Sequence, residues 1–406
     1  MTLAGSVQMT LNRNQGDNKQ MTRRGFLIST LAIVAALAAS ISAAQASVQR
    51  STATTLKGAG SSFVFPLVSA WQPAFKSSSG IDINYQPIGS GAGIAVISNR
   101  SVDFGASDAP LTPDQQTTCN KCLTIPWAFS ATSIAYQGKG LSPNLKITGS
   151  VLAKIYLGQI KNWSDPALKK LNPKVKLPDK SITPIYRSDA SGTSYNFTEY
   201  LAAVSSEWKS KIGVGTQPAY PAGVGAAKSS GVAAYLAKTD GGICFVDVAY
   251  ATQNHFYTFA IQNRAGKFVK PTNKPIEAAA NLITKVKVAS TGLVLSVVDP
   301  PKPGLPKLSP IKTKNPTLRA KLLKQRQKQL AQAKAKNKRL VIAYPICTFT
   351  YVIVPTEAKQ AADLKRFLTW ALTRGQVYGS DLFFVPIPKV VQTASLDLVN
   401  RIKQAS

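Results

Sequence analysis

Histidine is nearly absent: among 406 residues, only His255 is one. That scarcity removes most Ser/His and Cys/His catalytic arrangements and most histidine-ligated metal sites. His255 itself, in Gln253-Asn254-His255-Phe256-Tyr257, reads as a surface or packing residue. Acidic residues are also few, 18 Asp plus Glu against 49 Lys plus Arg, giving a formal net charge of +31. The carboxylates are not clustered, so neither a metal centre nor a phosphoester hydrolase finds its ligand set or its base here. Neither the glycine-rich phosphate loop of nucleotide hydrolases nor the nucleophile elbow of serine hydrolases occurs. The expectation is therefore a chain with no catalytic residues, no metal and no cofactor. Net charge alone brings forward a polyanion- or wall-binding surface protein as the first alternative, without a specific nucleic-acid site, and a phosphoester hydrolase ranks behind it for want of a base.

Long apolar runs are missing as well. The stretch from Phe26 to Ala39 has about 14 apolar or small residues, short of the roughly 20 that span a bilayer. It follows Thr22-Arg23-Arg24-Gly25-Phe26-Leu27 and leads to Ala44-Gln45-Ala46. This order resembles a twin-arginine export signal with a small-residue cleavage site, so residues 1–46 are expected to be an export signal and the mature chain to start near Ser47. No cysteine lies near that point, and no lipid anchor is expected; the protein should be periplasmic or held at the cell surface. The four cysteines favour two disulfides in an exported chain. The simplest pairing joins Cys119 to Cys122 and Cys244 to Cys347, with a redox-active or zinc-binding Cys119/Cys122 pair as the alternative.

What is present is a globular composition, 44% hydrophobic over a length that suggests two or three domains. A strand, a loop of small residues and an amphipathic helix follow one another at three places. Gly58-Ala59-Gly60-Ser61-Ser62-Phe63 precedes Leu67, Ala70, Trp71, Ala74 and Phe75 at helical spacing, with Pro66 suited to the first turn. Ile81, Ile83 and Tyr85 alternate as in a strand and lead through Gly89-Ser90-Gly91-Ala92-Gly93 to Ile94 and Ile97. Ile182 to Tyr186 reads as a strand and runs through Arg187-Ser188-Asp189-Ala190-Ser191-Gly192-Thr193 into Phe197, Tyr200, Leu201 and Val204. Each loop offers what an oxyanion requires: unpaired backbone N–H groups at a helix start, hydroxyl donors, and glycines that let the backbone approach.

Taken in order, these segments resemble the periplasmic phosphate-binding proteins of ABC transporters, the PstS family. The similarity extends through Val102-Asp103-Phe104-Gly105-Ala106-Ser107-Asp108-Ala109-Pro110-Leu111 and Ile155-Tyr156-Leu157-Gly158-Gln159-Ile160-Lys161-Asn162-Trp163. It covers about Gly58 to Val288 and resumes from Tyr344 to about Lys389. The resemblance implies an α/β architecture of the type II periplasmic-binding fold, two lobes joined by crossing strands around a ligand cleft. One lobe would comprise residues 51–128 plus 348–406, the other 129–347. It further implies capture of inorganic phosphate for delivery to permease subunits. The phosphate-binding positions carried over are Ser62, Phe63, Ser90, Asp108, Arg187, Ser191, Gly192 and Thr193, with Asp189 behind Arg187.

The residue chemistry suits those roles. Arg187 supplies a permanently charged planar fork, and Asp189 can hold it in position. Asp108 is the discriminating residue, because a carboxylate in an anion site is unfavourable unless the ligand brings a proton to donate. Phosphate near neutral pH does so; sulfate does not.

The chain departs from the family between Pro300 and Arg339. Residues 301–340 hold 13 Lys or Arg and no acid, and six prolines lie between Pro300 and Pro316. The expectation is a proline-rich arm followed by a solvated basic helix or a disordered segment, serving either as a contact with anionic wall polymer or lipid headgroups or as an inert insertion that keeps the chain soluble.

Overall fold

A computed structural model describes residues 54–406 apart from 298, 300–303, 305, 307–310 and 314. The expected export signal, residues 1–46, lies outside the described residues. No helix among the described residues is long and apolar enough to cross a membrane.

Nine strands form the main sheet: β1 (Thr55–Gly60), β2 (Asp82–Gln86), β3 (Phe104–Ser107), β4 (Cys122–Tyr136), β5 (Thr183–Arg187), β6 (Val224–Ala226), β7 (Gly242–Asp247), β8 (Tyr257–Thr258) and β9 (Cys347–Pro355). Their order is β2-β1-β3-β9-β4-β7-β5-β6, with β8 also paired to β4. The expected α/β class is present, and β4 explains how one sheet serves two halves. Its fifteen residues are all buried. Cys122 to Ala131 pair antiparallel with β9, and Thr132 to Tyr136 pair antiparallel with β7. The register of β4 against β9 slips between Thr350 and Tyr351, where Pro126 and Ala128 are the partners. A proline that cannot donate to the ladder is tolerated at such a bulge, and Trp127 between them donates Nε1–H to Thr350 Oγ1 at 3.0 Å.

The helices that matter for the site are α1 (Phe65–Ser79), α2 (Ser90–Ser98), α3 (Gly192–Val204), α4 (Lys228–Lys238) and α5 (Val248–Gln253), followed by α6 (Pro316–Ile342). The expected strand–loop–helix order holds at all three places, with the third strand running one residue further, to Arg187. Within β1–β3, α1 buries Trp71 and Phe75 on an aromatic cluster in which Trp71 meets Trp127 edge-on at 5.2 Å and Phe104 meets Phe367 at 5.5 Å. Under β5–β7, Phe197 of α3 stacks on Phe245 at 4.2 Å. These aromatic contacts seat the helices so that α1, α2 and α3 begin where β1, β2 and β5 end. The carboxyl ends of parallel strands are where α/β sheets place their ligands.

Cys119 and Cys122 are joined as expected. Cys244 and Cys347 are not; both are buried free thiols. The reason is the sheet order. Cys347 pairs with Ala131 on one edge of β4, and Cys244 pairs with Ala135 on the other. Two strand spacings and four residues of rise put their Cα atoms roughly 16 Å apart, against the roughly 4.4–6.8 Å a disulfide spans.

The basic segment is a helix over its second half. Asn315 caps α6 by accepting from the Leu318 amide at 3.0 Å, and of its 27 residues only Leu340 is buried.

Candidate functional site

Gly60 ends β1 against β3 so closely that a Cβ there would lie 2.1 Å from the Ala106 carbonyl oxygen, and its φ is +142°. That approach lets the Ser61 amide donate to the Ala106 carbonyl at 2.8 Å and sets the following loop over the end of β3. Ser61 Oγ then donates to Asp108 Oδ1 at 2.5 Å and accepts from the amides of Phe63 at 3.1 Å and Val64 at 3.3 Å. The neighbouring Ser62 faces the other half of the molecule. Its Oγ lies 3.0 Å from Ser229 Oγ and accepts from the Ser229 amide at 3.0 Å. The Phe63 ring is in the core, edge-on to Phe384, and only its amide turns toward Ser61.

In the second loop Ser90 Oγ accepts from the Asp108 amide at 3.3 Å, and the Gly91 amide crosses to the Ala190 carbonyl at 2.9 Å. In the third, Arg187 is only 3% exposed. Its Nε donates to Asp189 Oδ1 at 2.7 Å and its Nη2 to Asp189 Oδ2 at 2.5 Å, while Nη1 reaches Thr193 Oγ1 at 3.4 Å. Asp189 Oδ1 also accepts from the Lys228 amide at 2.9 Å. Ser191 is the N-cap of α3, its hydroxyl accepting from the Ser194 amide at 3.2 Å. Gly192 packs onto Asp108, whose Cβ and amide would each lie 2.7 Å from a Cβ at that position.

Several of the positions expected from the sequence are brought into contact: Ser90 and Gly192 each touch Asp108, Arg187 reaches Thr193 and is held by Asp189, and the Arg187 charge acts on Asp108. Four contributors carried no sequence signal that singled them out. Ser61, one of two consecutive serines, holds Asp108. Ser229 closes on Ser62 from the start of α4, and Lys228 before it adopts a left-handed φ of +64° to aim its amide at Asp189. Asp247, the N-cap of α5, is fully buried. Among the described residues its Oδ2 has no hydrogen-bond partner, and neither does Oγ1 of Thr132, its register partner on β4.

The electrostatics follow the burial. Loss of hydration pushes the Asp108 carboxyl up to about 6, against the lowering effects of the Ser61 hydroxyl, the Arg187 charge, Thr350 and Ser90. Burial also raises Asp189, but the hydrogen bonds and charge of Arg187, with the Lys228 amide, outweigh it and hold that carboxyl below its usual range. Asp247 is held well above the usual carboxylate range by burial first and by the Asp108 charge after it.

Cationic and neutral donors around a buried acceptor suit a small oxyanion that carries a proton. Exposed His255 closes the turn after α5, its amide donating to the Thr252 carbonyl at 3.0 Å. No group of three His, Cys, Asp or Glu that could hold a metal occurs among the described residues.

The chain matches the model of the PBP superfamily domain over residues 45–312. It is 34% identical to the phosphate-binding protein PstS of Xylella fastidiosa strain Temecula1 over 346 residues, 84% of each chain. It is 31% identical to PstS of Pasteurella multocida over 375 residues, covering 91% of this chain and 94% of that one. Among solved structures, a phosphate ABC transporter substrate-binding protein from Clostridium perfringens with bound phosphate superimposes with a TM-score of 0.52 at 15% identity, over 82% of this chain and all of the other. With this architecture and these similarities, the chain belongs to the PstS family of phosphate-binding proteins, within the PBP superfamily.

Proposed function

We propose that this protein captures inorganic phosphate in the cleft and presents it to the permease subunits of an ABC transporter, outside the cytoplasm and without covalent chemistry. One lobe comprises residues 51–128 and 348–406, the other 129–347, and β4 and β9 are the strands that cross between them. Arg187 holds the phosphate oxygens, supported by the hydroxyls of Ser62, Ser90, Ser191 and Thr193 and the amides of Phe63 and Gly192. Several such bonds, at about 1.5–3 kcal/mol each where charge assists, offset the desolvation of a buried anion. Asp108 accepts the ligand's proton. The protein is exported on its twin-arginine-like signal, carries no lipid anchor, and meets anionic envelope material through its basic segment at 300–339.

The observation that supports this reading is the placement of Asp108, buried against Ser61, Ser90 and Gly192 and near enough to Arg187 to feel its charge. A polyanion binder needs no buried carboxylate there, and a hydrolase needs a nucleophile with a base. Equilibrium dialysis with phosphate and sulfate, beside a chromogenic phosphoester assay, tests it. Saturable phosphate retention with sulfate excluded and no turnover is expected; turnover without retention, or equal uptake of both anions, overturns it.

A further inference from the structure

Helix α6 is a rod about 40 Å long at 1.5 Å per residue. It holds nine Lys or Arg, at positions 319, 321, 324, 326, 328, 334, 336, 338 and 339, and no acid. Ala, Leu, Lys, Arg and Gln dominate it, all strong helix formers, so it stands without a buried face. One stripe is partly covered, Leu322, Arg326, Leu330, Ala333 and Asn337, and there Asn337 exchanges two 3.1 Å bonds with the Gly304 backbone. The C-terminal end is fastened: Leu340 is buried, Asn263 Nδ2 donates to the carbonyls of Leu340, Val341 and Ala343, and Arg339 bonds the Asn281 carbonyl. The rest projects into solvent. Among the described residues none of the nine cations has an acidic partner within 4.0 Å.

Like charges at close helical spacing repel, at a few tenths of a kcal/mol per pair, and here nothing on the helix compensates. The distribution says what does. At 100° per residue, no arc wider than about 80° around the rod lacks a cation. A flat bilayer meets one side of a helix and rewards an apolar face opposite the charges. In α6 the exposed large apolar residues are Leu318 and Leu323, five residues apart and on different sides. Single-stranded nucleic acid is held by bases stacked on aromatic rings, and α6 has no aromatic residue.

We infer that α6 is a docking rod for a flexible linear phosphodiester polymer of the cell envelope, which winds around its circumference. This deepens the envelope contact proposed for the basic segment and rests on that reading; it is independent of phosphate capture in the cleft. The probe is fluorescent poly(glycerol phosphate), with vesicles of equal phosphatidylglycerol and phosphatidylcholine and oligo(dT) as the other arms. The full chain is compared with a variant carrying Lys321→Gln, Lys324→Gln, Lys328→Gln, Lys334→Gln and Lys338→Gln, all exposed positions. The variant should bind the polymer at least about tenfold more weakly at low salt, with a log–log salt slope shallower by about 3.5, near 0.7 per cation removed. Its phosphate binding should be unchanged, which reports an intact fold. Polymer binding that ignores the five substitutions overturns the proposal. If the vesicles or oligo(dT) bind more tightly than the polymer and lose that binding in the variant, the polymer is the wrong partner; in the vesicle case the envelope contact survives. If no arm responds, the envelope contact falls as well.

Discussion

No side-chain carbon fits between Gly192 and Asp108: a Cβ at Gly192 would lie 2.7 Å from both the Asp108 Cβ and its amide nitrogen. The first residue of α3 therefore packs directly on the loop after β3, and the two halves of the sheet meet at the carboxylate itself. Gly192→Ala keeps an allowed helical conformation but forces these walls apart. Overpacking of about 1–3 kcal/mol should weaken phosphate binding at least about fivefold, with far-UV circular dichroism unchanged. Wild-type affinity in that variant would show that the contact does not matter for closure.

Asp108 should make anion selectivity depend on pH. Ionised, it accepts the proton that phosphate carries and repels sulfate; protonated, it can donate to either. With the carboxyl at about 6, the preference for phosphate over sulfate should shrink as pH falls through that value. Asp108→Asn should have a weak preference at every pH. A selectivity that stays flat from pH 5 to 8 in the wild type sinks the proton-acceptor role.

The same carboxyl bears on stability without ligand. Its folded value is raised above the unfolded one of 3.8, so the native state binds more protons between about 4 and 6, and stability falls as pH rises through that window. The shift corresponds to a loss on the order of 3 kcal/mol, fully felt above pH 6. Asp247 is raised in the same direction, so Asp108→Asn should flatten part of the fall rather than all of it. Urea melts at pH 4 and 7 measure the difference, and an Asp108→Asn chain no more stable than wild type at pH 7 contradicts the assignment.

Asp189 holds Arg187 by two parallel bonds and receives the Lys228 amide as well. Asp189→Asn should lower phosphate affinity by about tenfold or more while leaving the Arg187 charge in place, because the loss is one of orientation. Arg187→Lys, which keeps the charge and discards the planar fork, should be at least as damaging. Should Arg187→Lys bind like wild type, charge alone suffices and the fork has no role.

The cysteine arrangement gives a count. Burial pushes the thiols of Cys244 and Cys347 well up, so the native chain should react with no thiol reagent. Denatured without reductant it should expose two thiols, and four after reduction. No free thiol in the denatured, unreduced chain would mean that Cys244 and Cys347 are linked after all.

Local order was legible because it is written locally. Ile81, Ile83 and Tyr85 alternate, and Phe197, Tyr200, Leu201 and Val204 recur at helical spacing, so strands and helix starts could be read from a few neighbours. The carried-over positions from Ser62 to Thr193 came from a likeness of motifs, and Ser90, Gly192 and Arg187 among them act on Asp108. Ser61 was passed over because nothing in two adjacent serines says which hydroxyl turns toward Asp108; the close approach of Gly60 to Ala106 decides it. Ser229 and Asp247 gave no signal, since a serine after a lysine and an aspartate before a helix are ordinary capping residues until their neighbours across the sheet are known.

The sequence by itself determined which segments become strand, loop and helix, because side-chain periodicity and backbone freedom act over a handful of residues. It also determined the basic character of α6, where no packing is needed to form the helix. Only the tertiary structure decided that Ser229 meets Ser62 across 167 positions, that Asp108 is dehydrated, and that Cys244 and Cys347 stay apart. Each of these depends on which strands become neighbours of β4, and that order is set by burial of the whole sheet rather than by any stretch of chain.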